Sequence, residues 1–147
     1  MTADSLKLEN ALCFAIYSAN HAITRAYKPL LDRHGLTYPQ YLAMVVLWDE
    51  DGQTVSGIGD RLLLESSTLT PLLKRLEKAG YVRRERDARD ERQVRIFLTA
   101  KGGRLRETLK DLPRHMTRAF GCGADGVQRL RDEVTTIRDS VAKTAAG

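Results

Sequence analysis

Cysteine is scarce in this chain of 147 residues. There are two, Cys13 and Cys122, and two thiols in a reducing compartment do not make a disulfide scaffold. They are either buried packing residues or redox-active groups. Histidine is nearly as sparse: His21, His34 and His115 stand at no metal-ligand spacing from one another or from the cysteines, so no metal site is expected. No apolar run approaches the ~20 residues that cross a bilayer, which argues against a membrane partner. The opening MTADSLKLEN lacks a basic stretch followed by an apolar core. No secretory leader is read from it, and the expected compartment is the cytoplasm. Also missing are a glycine-rich cofactor loop, a Cys-x-x-Cys pair and a nucleophile–base constellation. His21 lies eight residues from Cys13, about 12 Å along a helix, too far for a direct pair. No cofactor is expected, and an enzyme, for instance a thiol peroxidase, is disfavoured.

What is present is concentrated between Ser66 and Leu98. Leu69, Leu72, Leu73 and Leu76 form an apolar stripe on a 3.6-residue period. Ser67, Thr68, Thr70, Lys74, Arg75 and Lys78 make the polar face, and Gly80 stops the helix. The period then changes to two. Tyr81-Val82 leads into one short strand, residues 93–98 alternate as a second, and the charged turn DARDER lies between them. Helix followed by a basic two-stranded ribbon is a winged-helix pattern. Between Lys74 and Lys101 there are ten Lys or Arg and five Asp or Glu, an excess equal to the +5 of the whole chain. A positive footprint confined to one helix and one hairpin suits the phosphate backbone of double-stranded DNA.

Around this segment the periodicity predicts further helices. A long one spans about 6–33, with Asp4 or Ser5 as its cap and a kink at Pro29. The next opens at Thr37 or Tyr38 with Pro39 in its first turn and ends at the turn Asp49-Glu50-Asp51-Gly52. A third covers 54–64 with Thr54 as cap. The helix of the polar face is expected to be capped by Ser67, which puts Pro71 at its fourth position. Thr99 caps a helix running towards Phe120, interrupted by Pro113. Cys122 lies in a glycine-flanked turn, residues 121–126, before a last helix over about 125–143. The fold class expected is mainly α: a winged helix-turn-helix with a two-stranded β wing, flanked by N- and C-terminal dimerisation helices. It is read as one domain over 1–147, with dimerisation helices at about 6–33 and 100–143 and the winged part at about 38–99. A symmetric homodimer would present two recognition helices about one turn of DNA apart and read a pseudo-palindromic operator.

The stretches SSTLTPLLKRLEKAGYVRRERDARDERQVRIFLTAKG and LCFAIYSANHAITRAYKPLLDRHGLTYPQYLAMVVLW resemble the MarR family of winged-helix transcription regulators. The second is similar to the organic-hydroperoxide-sensing, OhrR-type branch of that family. There a reactive cysteine lies within Leu-Cys-Phe, as Cys13 does. Tyrosines accompany it at the positions of Tyr17, Tyr27 and Tyr38, the last within Thr-Tyr-Pro-Gln-Tyr. The resemblance implies a repressor whose tyrosine hydroxyls bond the Cys13 thiolate and position an organic hydroperoxide, and which leaves its operator on oxidation. It also makes Cys122 the candidate resolving thiol, and pairs Asp90 with Arg92 at the wing tip, the arginine entering the minor groove.

The residues alone leave more open. A thiol beside Leu12 and Ile16 is often inert packing, in which case a small phenolic or other ligand would release the repressor instead. Tyr17 is one turn from Cys13. Tyr27 is 14 residues away, roughly 21 Å along a straight helix, and reaches a cysteine only across a dimer axis. Contacts to DNA are expected from Ser67, Thr68, Thr70, Lys74, Arg75, Arg86, Asp90 and Arg92, with Arg75 suited to guanine.

Overall fold

The computed structural model describes residues 6–146. The expected caps Asp4 and Ser5 lie outside them. The chain forms two compact units divided after Glu107.

Among the described residues of the first unit, a 3-10 turn, Leu8–Asn10, precedes a long helix α1, Leu12–Asp32. Ala11 between them is extended, at φ −87° and ψ 113°. The long helix thus begins at Leu12 and not near residue 6, because the chain leaves helical geometry at Ala11. Pro29 deprives the Arg25 carbonyl of its helical donor, yet α1 continues to Asp32. Helix α2, Tyr38–Asp49, starts with a full capping box. The Gln40 N–H donates to the Thr37 hydroxyl, and the Thr37 N–H donates to the Gln40 side chain at 2.9 Å. A two-residue strand β1, Gln53–Thr54, precedes α3, Val55–Leu62, whose first turn Thr54 caps through the Gly57 N–H.

Helix α4, Ser66–Lys78, carries the leucine stripe, and all four leucines are buried. Each is worth about 1.5–3 kcal/mol of burial, which fixes the face that remains for solvent. Its cap is Glu65, not Ser67. Pro71 therefore stands at the sixth helical position, and the Ser67 carbonyl loses its ordinary donor. The stripe outweighs the proline: starting two residues earlier leaves every leucine on the core side.

Strands β2, Val82–Arg86, and β3, Val94–Leu98, form the wing. The sheet is antiparallel with order β1-β3-β2. It has three strands, not the two read from the sequence. Gln53 and Thr54 pair with Ile96 and Arg95, and two residues are too few to show a period. Ile96, buried, anchors the sheet on a core that includes Met44, Leu47, Ile58 and Leu73.

Helix α5, Ala100–Leu109, is capped by Thr99, whose hydroxyl accepts the Gly102 N–H at 3.1 Å. Its last residues pass the division between the units. In the second unit α6, Leu112–Phe120, is a separate helix with Pro113 in its first turn, where a proline costs little. Helix α7, Gly123–Ala146, packs on α6. It starts earlier than expected, so the glycine-flanked turn shrinks to Gly121 and Cys122. Leu130, Val134 and Val141 on α7, and Leu12, Phe14, Ile16 and Tyr17 on α1, are exposed. No helix among the described residues is long and apolar enough to cross a membrane.

Candidate nucleic-acid interface and thiol site

Because the leucine stripe holds α4 by one side, the other side is offered outward. Ser67, Thr68, Lys74 and Arg75 are exposed, and Thr70 is half-buried. The helix begins without a side-chain cap. Its first N–H groups and the positive end of its dipole are therefore free to meet a phosphate.

The wing is framed from within. Asp87, buried at its base, accepts the Arg89 N–H at 2.8 Å and the Arg95 Nε at 2.7 Å, while Arg95 Nη1 donates to the Gly52 carbonyl at 2.8 Å. The Arg89 N–H first, and then Arg95, hold the Asp87 carboxyl below the usual carboxylate range. At the tip Asp90 accepts both the backbone N–H of Arg92, at 3.1 Å, and its Nε, at 3.2 Å. The Arg92 side chain is otherwise 91% exposed. A guanidinium held at its root and free at its head can enter a groove without first losing much rotamer entropy. Arg86 is used differently: one of its donors is fixed on the Glu91 carbonyl at 2.9 Å, so it braces the tip as well as adding charge. Asp87 and Arg95 were not among the residues read from sequence as functional, since a charged hairpin does not reveal which charges turn inward.

Cys13 is exposed and lies in the first turn of α1. Apolar spacing puts it inside a longer helix and leaves its activation to tyrosine hydroxyls or to tertiary neighbours. Tyr17 is exposed and stacks edge-on against His21, with ring centroids 4.5 Å apart. Tyr27 and Tyr38 meet each other at 4.7 Å, and Tyr41 completes a cluster at 5.8 and 6.3 Å. Burial first, then the neighbouring phenols, push Tyr27 up to about 12, and burial also raises Tyr38 and Tyr41. At neutral pH these hydroxyls are protonated donors. A cavity of about 210 Å³ opens beside them, lined among others by Thr24, Leu31, Leu36 and Pro39, with the Lys28–Asp32 ion pair on its wall.

Tyr27 and Tyr38 thus come together within one chain. Cys13 and Tyr17 do not join them, because α1 runs without a break from Leu12 to Asp32. Fourteen residues at 1.5 Å each separate Cys13 from Tyr27 by roughly 21 Å. Tyr41 and Trp48 belong to the same aromatic group, their centroids 6.3 Å apart. Their seven-residue spacing on α2 was the available signal. Cys122, in the second unit, is exposed, and its sulfur lies against the bare Cα of Gly126, where an added Cβ would sit 3.1 Å from it. No group of three or more metal-binding side chains comes together among the described residues.

The family described as transcriptional regulator SarA/Rot matches residues 25–109, from the middle of α1 to the end of α5. The HTH-type transcriptional regulator TtmR of Methylorubrum extorquens is 51% identical over 138 residues, 94% of this chain and 71% of that protein. The organic hydroperoxide resistance transcriptional regulator of Bacillus subtilis is 41% identical over 138 residues, 94% of each chain. The chain belongs to the MarR family of winged-helix transcriptional regulators.

Among solved members, reduced AbfR bound to DNA is 34% identical and superposes with a TM-score of 0.81 over 96% of this chain and 99% of its own. AbfR, from Staphylococcus epidermidis, in its disulfide form is 36% identical, with a TM-score of 0.66 over 91% and 94%. The protein is accordingly a transcriptional regulator with the winged-helix architecture expected from its sequence.

Proposed function

We propose that this regulator is a cytoplasmic homodimeric repressor that senses organic hydroperoxides through Cys13. The observation that carries the reading is the separation on α1: an exposed thiol at one end, and a tyrosine pair with a cavity 14 residues on, joined by an unbroken helix. In a two-fold dimer the thiol of one copy would face Tyr27 and Tyr38 of the other. The uncovered apolar residues of α1 and α7 supply surface for such a dimer, and α1 with α5 to α7 would be its dimerisation helices. The name of the Bacillus subtilis relative, 41% identical, points to the same effector.

The chemistry follows from the groups. The Cys13 thiolate attacks an oxygen of the hydroperoxide; an S–O bond forms and the O–O bond breaks. The leaving alkoxide takes a proton and departs as an alcohol, leaving a sulfenic acid. Protonated tyrosines stabilise both the thiolate and the departing oxygen. The apolar cavity wall would favour an alkyl or aryl hydroperoxide over hydrogen peroxide. Cys122 is proposed as the resolving thiol: its sulfur attacks the sulfenic sulfur, a disulfide forms and water leaves. Reduced dimer binds a pseudo-palindromic operator through Ser67, Thr68, Thr70, Lys74 and Arg75, with Arg92 in the minor groove, and the oxidised dimer leaves it.

The same 210 Å³ cavity supports a second reading, a repressor released by a small phenolic ligand with Cys13 as bystander. A gel shift on DNA upstream of its own gene separates the two. Wild type should release that DNA after cumene hydroperoxide, and Cys13→Ser should stay bound. If both stay bound, the thiol is not the sensor and ligand release is favoured.

A further inference from the structure

We propose that Trp48 is a positioning residue that couples the Tyr27–Tyr38 pair to the junction of recognition helix and wing. The proposal rests on the reading that this pair belongs to the sensing pocket. The only tryptophan of the chain continues the aromatic cluster through Tyr41, 6.3 Å away edge-on. Its indole N–H then crosses 54 residues of sequence to donate to the Gly102 carbonyl at 2.9 Å. Phenylalanine would keep an aromatic ring there, smaller and without that bond.

Gly102 is tightly held. Its Cα lies against the Tyr81 carbonyl so closely that an added Cβ would sit 2.1 Å from that oxygen. The same oxygen accepts the Thr99 N–H at 3.0 Å, and the Thr99 hydroxyl donates to the Gly80 carbonyl at 2.5 Å while accepting the Gly102 N–H. Gly80 and Tyr81 are the residues that end α4 and lead into β2. Movement of the pair would thus reach, through ring contacts and one hydrogen bond, the carbonyls that set the angle between recognition helix and wing. The ring contacts, the indole bond and the backbone approach at Gly102 form one contiguous chain, the physical requirement for passing a displacement between the two places.

The test uses the full-length protein and DNA from upstream of its own gene. Trp48→Phe should bind that DNA, when reduced, as wild type does and melt within a few degrees of it. Its ratio of reduced to oxidised affinity should fall about fivefold, the worth of one part-buried hydrogen bond of about 1 kcal/mol. A wild-type ratio in the variant overturns the proposal. In unmodified protein, oxidation that releases DNA should change Trp48 emission; unchanged emission also overturns it, and this arm needs no variant to fold. A double-mutant cycle removes the dependence on peroxide. Tyr38→Ala should weaken reduced DNA binding at least threefold more in the wild-type background than in Trp48→Phe. Equal effects in the two backgrounds, including none in either, overturn the coupling. If wild type ignores peroxide altogether, the sensing reading fails and the cycle still decides the role of Trp48.

Discussion

Two adjacent glycines on α5 should respond to alanine with opposite signs. A Cβ on Gly102 would stand 2.1 Å from the Tyr81 carbonyl oxygen, against about 3.3 Å for an ordinary carbon–oxygen contact. Roughly 1 Å must be found between two backbone segments, where no flexible side chain can yield. Such overpacking costs about 1–3 kcal/mol. The shift also strains the Thr99–Tyr81 and Trp48–Gly102 bonds, each worth about 1 kcal/mol. Alanine returns roughly 1 kcal/mol in helix propensity, so the net loss is about 2–4 kcal/mol. For a chain of this length that lowers Tm by about 5–15 °C. Gly103 has nothing within 4 Å of its added Cβ, so Gly103→Ala should gain about 0.5–1 kcal/mol. Urea and thermal unfolding followed by Trp48 emission, at one fixed protomer concentration, measure both. A loss below 1 kcal/mol for Gly102→Ala, or comparable losses for the two variants, would refute the packing argument.

Arg92→Ala should weaken DNA binding about fivefold or more, about 1–3 kcal/mol, with stability unchanged; Asp90→Ala should lose a smaller factor, since it only orients the guanidinium, and titration of labelled DNA ranks them. Asp87 has a folded-state pKa below its unfolded value, so its stabilisation is fully present above the ordinary carboxylate range and is lost as pH falls through the folded value. The stability difference between wild type and Asp87→Asn should therefore shrink steadily as pH is lowered through that range in denaturation experiments. The tyrosines run the other way: Tyr27, at about 12, and the raised Tyr38 and Tyr41 give stability that is whole below the ordinary phenol range and is lost between about pH 10 and 12, with ultraviolet phenolate absorbance rising late. Pro71→Ala restores a donor for the Ser67 carbonyl and should stabilise the fold by about 1–2 kcal/mol in urea titrations; a loss of stability would mean that the proline is not strained.

By itself the sequence determined whatever depends on period and sign. The stripe Leu69-Leu72-Leu73-Leu76 sets which face of α4 is buried, and so which residues can meet DNA. The excess of basic residues between Lys74 and Lys101 marks the wing, and the caps Thr54 and Thr99 mark two helix starts, because capping acts over three residues; at the second helix the sequence left Thr37 or Tyr38 open, and the structure places the cap on Thr37. Where local signals conflicted, packing decided. The leucine stripe carried α4 past Pro71 to a start at Ser66, and Ala11 broke a helix that apolar spacing alone would have continued. Gln53 and Thr54 become strand β1 by pairing with Ile96 and Arg95 of β3, 43 and 41 residues on. Contacts between distant residues were likewise settled by tertiary structure: Arg95 turned in on Asp87, Trp48 bonded to Gly102, and Tyr27 stacked on Tyr38. The 14 residues between Cys13 and Tyr27 were legible from the start as a distance. That no bend in α1 closes it is a property of the folded backbone, since a rigid helix keeps its ends apart.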